Sequence, residues 1–498
     1  MRKIPRSTSV AAGTIAILTF SILSKGMGFF REMLVAGLFG TSANLDAVFV
    51  AMTPATTLSG IIAGALAAIF VPVYHSIRKE DSERSKRYAG AVLISGSLVF
   101  LAMGVVFLLI PELVIKLFAP GFSDEVVAYA ARKLRYLSIY PLIGGIESIL
   151  GAILKSNRRF IQYGISQLFF NVVAIPVIFF TAPFLSEASY ILAWILGNAI
   201  TVLAYLLQSR ELFTLKIGRG TSIVETLYLS LPLIFSGSLG VINNMVDKAF
   251  VSLLPPGRVA SLQYAHTLLG LITFTISAFQ MTAYTELSEL VVADDKNRVK
   301  ERLRKTVTTS LNISLPLAAW IIMMAEPLVK VIYQRGEFDS NSTSLVSMAL
   351  IGYGALIVLS PISHTCSSYF TARKRLKAIT MVSVFSIFLN AFFDWLMLEP
   401  FGHAGIAAST SIVVLNATII YVLLIRREGL NFMPYKRILK LVGFSVAVYL
   451  VVLLLKFTTG TTLWLLLGNG LFFSLFLISA KSEIRAISSK IMSLFRRK

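Results

Sequence analysis

Fourteen apolar stretches, each long enough to cross a bilayer, follow one another along this chain with charged joints between them. They fall at about 8–38, 43–74, 89–111, 123–153, 160–182, 188–208, 222–253, 257–290, 307–326, 343–370, 378–397, 403–425, 441–458 and 461–480. In lipid every backbone N–H and C=O must be satisfied within the chain, and a run of about 20 apolar residues does this as an α-helix. The expected class is therefore all-α, a polytopic membrane protein of 14 transmembrane helices. A composition that is 56% hydrophobic and 14% charged agrees, because a soluble domain cannot hide that much apolar surface from water. The first run is long and no small-residue cleavage site follows a short core, so a removable signal peptide is not expected. The single Cys366 rules out an internal disulfide or a cysteine metal cluster.

The joints alternate in charge. Counting the termini with every second joint, one side of the membrane collects 35 Lys and Arg. The other side holds only Lys116, Arg258, Lys330, Arg335 and Lys456. The positive-inside rule then puts both termini in the cytoplasm. The net charge of +21 is thus an orientation signal and a contact for anionic lipid, and nucleic acid is not an expected partner.

The chain also repeats itself at a spacing of about 215 residues. PELVIKLFAPGFSD (111–124) reappears as EPLVKVIYQRGEFD (326–339), pairing Phe118 with Tyr333, Gly121 with Gly336 and Asp124 with Asp339. Further on, Arg158 and Arg159 fall against Arg373 and Lys374, and Tyr205 and Arg210 against Tyr421 and Arg426. Six spans per repeat is an even number, so the halves are parallel, as in transporters that rock two lobes about a central cavity. The expected organisation is an N-terminal six-helix lobe (1–215), a C-terminal six-helix lobe (216–430), and two additional helices with a basic tail (431–498). The added pair either forms a lipid-facing groove or simply packs.

Ionisable residues inside a span are costly and mark candidate sites. The first span, with the turn after it, holds Lys25, Arg31, Glu32 and Asp46, loosened by Gly26 and Gly28. Arg31 and Glu32 are adjacent, so they point about 100° apart and are not expected to pair on one helix. Two readings stand: interhelical salt bridges, or the wall of an anion-binding cavity in which Arg, always charged and forked, suits a diphosphate. The transport reading needs Arg31 to face a water-accessible vestibule. Arg132, Lys133 and Arg135 either snorkel or line the same space. A second cluster holds Asn243, Asn244, Asp247 and Lys248 in span 7, Asn390 and Asp394 in span 11, and Gly405, Ile406 and Thr410 in span 12. Asn390 and Asp394 are four apart and share a helix face. Hard oxygen ligands of this kind suit a small cation such as Na⁺, with a proton relay or a buried ion pair as rivals. There is no phosphate loop and no nucleophile–base set.

At these residues the chain resembles the MviN/MurJ family of lipid II flippases, in the multidrug/oligosaccharidyl-lipid/polysaccharide exporter superfamily. The resemblance rests on GFFREMLVAGLFGTSANLDAVFVA (28–51), FVPVY (70–74), LQYAHTLL (262–269) and YQRGEFDSNST (333–343). It implies a non-enzymatic transporter of the bacterial inner membrane. The implied cargo is an undecaprenyl-diphosphate-linked cell-wall precursor, lipid II or a similar glycan, moved from the inner to the outer leaflet by alternating access of a monomer. It implies substrate contacts for Arg31, Glu32 and Asp46, with Lys25 standing for the usual Arg beside Ser24, and Glu32 for the usual Asp. It implies a Na⁺ site at Asp247, Asn390, Asp394, Ile406 (through its carbonyl) and Thr410, and no other cofactor. The chain departs from the family at Leu58 and Thr267, where arginines are usual, and at Ala63, where an acid is usual. These departures keep a flippase for another lipid-linked polysaccharide open. A cation-coupled drug exporter of the same fold would prefer an acidic, aromatic cavity. A membrane glycosyltransferase would need catalytic carboxylates in larger loops than these.

Overall fold

A computed structural model describes residues 10–216, 223–458 and 461–481. The basic residues expected at the start of the chain, Arg219 and the tail beyond Lys481 lie outside them. The described chain is helical: α1 (Val10–Phe39), α2 (Ala43–Glu80), α3 (Ser82–Leu109), α4 (Pro111–Phe118), α5 (Asp124–Tyr136), α6 (Tyr140–Ser156), α7 (Phe160–Leu185), α8 (Ala188–Ser209), α9 (Ile223–Val251), α10 (Arg258–Val292), α11 (Lys296–Tyr333), α12 (Ser340–Gly352), α13 (Leu356–Ala372), α14 (Leu376–Arg427), α15 (Tyr435–Thr458) and α16 (Thr461–Ser479). Side chains set several ends. Ser42 Oγ accepts the Leu45 N–H ahead of α2, and Asp81 accepts those of Glu83 and Arg84 ahead of α3. Large apolar side chains such as Phe184, Leu109 and Leu439 point outward, as expected where lipid is the solvent.

The all-α class stands, while the count of fourteen is not reproduced by length and apolarity. Nine helices among the described residues qualify as spans, and ten if the halves of α10, bent by 57°, are one span. Part of the difference is local. Two expected spans run together as α14, whose direction breaks at Gly402 (φ 56°), a left-handed conformation open to glycine. The expected third joint contains the short α4, and span 4 is α5 and α6 joined by a 3₁₀ turn at Leu137–Ile139.

The duplication appears in the elements themselves. α5, α6 and α7 begin at Asp124, Tyr140 and Phe160; α12, α13 and α14 begin 216 residues later, at Ser340, Leu356 and Leu376. The turns that close α6 and α13 also match. Arg158 and Lys374 both take positive φ (55° and 57°), and the N–H groups of Arg159 and Arg375 bond back to Leu154 and Phe370 at 2.9 Å.

Packing divides the chain into one unit of 1–261 with 333–342, and a second of 262–332 with 343–498. This partition differs from the lobes drawn from the repeat (1–215, 216–430, 431–498). α9 lies against α2 and joins the first unit, and 431–498 joins the second. In the first unit α1 packs on α7, α7 on α8, and α2 on α3, α5, α6 and α9. Its core gathers Phe70, Tyr74, Tyr88, Phe100 and Tyr205, with the Phe70 and Tyr88 rings stacked at 5.6 Å. In the second unit one core joins α11, α13 and α14 through Leu303, Val307, Tyr369, Phe370 and Ile425. A smaller core seats α15 and α16 on α11 through Met324, Val452, Phe472 and Leu475. The extra pair is therefore packed: Trp320 Nε1 donates to Asn469 (2.8 Å) and Arg437 Nε to Asn312 (3.0 Å).

Candidate functional site

The first-span residues do not form one wall. Arg31 and Glu32 pair directly, Nη2 to Oε1 at 2.8 Å, correcting the expectation that neighbours on one helix could not meet. Adjacent Cβ vectors diverge, but both side chains are long and bend toward each other. Arg31 Nη1 donates to Asn171 of α7 (3.1 Å), and Tyr190 of α8 donates to Glu32 Oε1 (2.8 Å). The guanidinium carbon lies 4.9, 5.4 and 5.8 Å from the ring centres of Phe170, Trp194 and Tyr190. Arg31 is 8% exposed and Glu32 5%. In this conformation Arg31 turns its fork into its own unit, so the open vestibule expected beside it is not what surrounds it. The Glu32 Oε2 atom, also buried, accepts no hydrogen bond among the described residues.

Asp46 is likewise not beside these cations. Its two oxygens accept the backbone N–H groups of Gly257 and Ala260, both at 2.6 Å, at the N-terminus of α10. A carboxylate there answers unsatisfied N–H groups and the positive end of the helix dipole. Gly257 fits because its φ is +88° and a Cβ would lie 2.6 Å from the Thr41 carbonyl oxygen. Lys25 is exposed on α1. Lys248 of α9 donates to Thr53 of α2. Arg132 and Lys133 lie over the Tyr129 ring, and Arg135 reaches Glu112 at 3.8 Å, so these three serve a local surface cluster on α4 and α5.

In the second unit four of the five expected ion ligands come together. The break at Gly402 folds the arms of α14 back so closely that a Cβ on Gly405 would lie 2.3 Å from the Met397 carbonyl oxygen. That brings Asn390 and Asp394, both fully buried, to the arm carrying Ile406, Ser409 and Thr410. Asn390 Nδ2 donates to Asp394 Oδ2 (3.2 Å) and Ser409 Oγ donates to Asp394 Oδ1. Thr410 donates to the Ile406 carbonyl at 3.1 Å, and Ser409 Oγ lies 2.9 Å from the same oxygen. Asp247 stands on α9 of the first unit. Carboxylate, amide, hydroxyl and carbonyl oxygens around a buried carboxylate fit a hard monovalent cation.

Residue reading missed Asn171, Tyr190 and Ser409, which are ordinary polar positions until the fold supplies their partners. It also missed Glu147 of α6, which a search for acids as well as bases within spans finds. Glu147 lines a cavity of about 280 Å³ inside the first unit.

The profile of a family described as lipid II flippase MurJ matches residues 35–480. The probable lipid II flippase MurJ of Buchnera aphidicola subsp. Acyrthosiphon pisum is 26% identical over 412 residues, 80% of each chain. That of Synechocystis sp. is 26% identical over 458 residues, 86% of this chain and 83% of its own. Among solved structures, a lipid II flippase MurJ in an inward closed conformation matches with TM-score 0.81 at 23% identity, over 95% of this chain and 99% of that one. An inward-facing multidrug resistance transporter of the MATE family matches with TM-score 0.68 at 15% identity, over 83% and 97%.

Proposed function

The chain belongs to the lipid II flippase MurJ family, and from that premise we propose that it moves lipid II from the inner to the outer leaflet of a bacterial inner membrane by alternating access. The observation that carries the reading is the family match across 35–480, which takes in both copies of the repeat. The charged joints support a cytoplasmic position for both termini. The polyprenyl tail stays in the bilayer and the protein handles the head group. The work is transport rather than catalysis, and the acting unit is one chain.

Lys25, exposed on α1, is assigned to the diphosphate. Arg31 and Glu32 brace α1 against α7 and α8, and Asp46 holds the start of α10. Where relatives are expected to carry arginines, Leu58 and Thr267 supply no charge, so anion binding falls to fewer groups. Asp394, Asn390, the Ile406 carbonyl and Thr410 would hold Na⁺, with Asp247 as the further expected ligand. A bound cation would balance the buried carboxylate and stabilise the conformation that holds it better.

Complementation tests the reading. Cells depleted of their own flippase, with this chain supplied, should again expose lipid II on the outer leaflet to an impermeant probe. Accumulation at the inner leaflet despite full membrane expression would overturn it.

A further inference from the structure

The cavity around Glu147 lies wholly inside the first unit, among α2, α6, α7 and α8. It measures about 280 Å³, where about 10–15 Å³ admits one water. The α2 wall is made of Gly60, Ala63 and Gly64, and a Cβ on either glycine would meet nothing within 4 Å. Opposite stand the rings of Tyr140, Tyr163 and Tyr205, the last two stacked at 5.7 Å.

The serine and threonine hydroxyls facing this space spend their protons on backbone carbonyls. Thr56 and Ser59 donate their hydroxyl protons to Met52 and Ala55 of their own helix, and Ser148 donates to the Ala63 carbonyl at 3.4 Å. Their lone pairs remain for a donor. Glu147 forms no ion pair or hydrogen bond among the described residues. The cavity's own cation, Lys155, lies two turns along α6 with its ammonium 4.8 Å from the centre of the Tyr163 ring. Its position demonstrates that the aromatic wall accepts an ammonium group. A carboxylate kept inside a span without a partner calls for a cationic one.

Resting on the flippase reading, we infer that this cavity is a subsite for a primary ammonium group on the head of the transported precursor, bound by Glu147 and flanked by the tyrosine rings. An ammonium supplies three donors to the Glu147 carboxylate and the hydroxyl lone pairs, and its aliphatic stem packs on aromatic faces. A proton or a bare alkali ion would use a small part of the volume and none of the ring surface.

The test uses the full chain in liposomes and two lipid II samples, one with a free side-chain amine and one with that amine acetylated. The unmutated protein should move the free-amine form about tenfold faster, the scale of one hydrogen bond to a charged group. Glu147→Gln should slow that form alone and erase the preference. Equal rates in the unmutated protein, or equal slowing of both forms in the variant, would overturn the subsite while leaving the flippase reading in place. Movement of neither form by the unmutated chain would overturn the flippase reading and the subsite with it. Should Glu147→Gln fail to fold, carbodiimide labelling of Glu147 in the unmutated chain decides. Protection by the free-amine lipid alone supports the subsite, and equal labelling with both lipids contradicts it.

Discussion

Arg31 and Glu32, neighbours on α1, close a 2.8 Å ion pair in which each side chain is less than a tenth exposed. Removing one partner from a buried pair strands the other charge, at a cost of about 3–5 kcal/mol. Arg31→Ala should therefore lower the unfolding temperature of the purified protein sharply. The double change Arg31→Met with Glu32→Gln should cost much less, since no lone charge remains. Equal losses in the single and double variants would show that the pair does not act as a unit.

Asp46 couples the start of α2 to a turn more than two hundred residues away. Its capping bonds to Gly257 and Ala260 are worth about 0.5–2 kcal/mol. Asp46→Ala should speed hydrogen exchange at residues 257–261, and Asp46→Asn, which keeps an acceptor, should do so less. Unchanged exchange in Asp46→Ala would remove the cap from the account.

The ion site predicts a stabilisation specific to sodium. A ligand at one hundred times its dissociation constant stabilises the state it binds by about 2.7 kcal/mol. Replacing potassium with sodium should raise the unfolding temperature of the unmutated chain, and Asp394→Asn or Ser409→Ala should abolish or reduce the rise. Identical melting in the two salts would count against sodium at Asp394.

Acid should loosen the start of α12 first. Asp339 accepts the Ser342 N–H at 2.7 Å, and that bond, followed by one from the Ser342 hydroxyl, holds its carboxyl below the usual carboxylate range. A carboxyl depressed in the folded state stabilises above its unfolded value, about 3.9, and the contribution disappears as pH falls through the folded value. Hydrogen exchange across 340–345 should therefore rise below about pH 4, and Asp339→Asn should flatten that rise. A steep acid response that persists in Asp339→Asn would assign it to another group.

The all-helical class was legible because lipid leaves an apolar run little choice but a helix, and the duplicated segments were legible because turns such as 154–159 and 370–375 reuse the same chemistry. The jobs of individual charges were not. Asp46 reads as a cavity acid until the fold brings Gly257 and Ala260 to it. Arg31 reads as an anion ligand until Asn171 and Tyr190, 140 and 158 positions from their partners, close around the pair. The Asp394 cluster was readable through Asn390, whose spacing of four fixes a shared face. Its partner Ser409 required the break at Gly402, which no helical period announces.

The most direct measurement is the initial rate at which lipid II crosses leaflets in liposomes containing only this chain. The account predicts rapid, protein-dependent exposure of lipid II on the opposite leaflet, faster with a sodium gradient and weakened by Lys25→Gln. A rate equal to that of protein-free liposomes, with the protein folded and inserted, would contradict it.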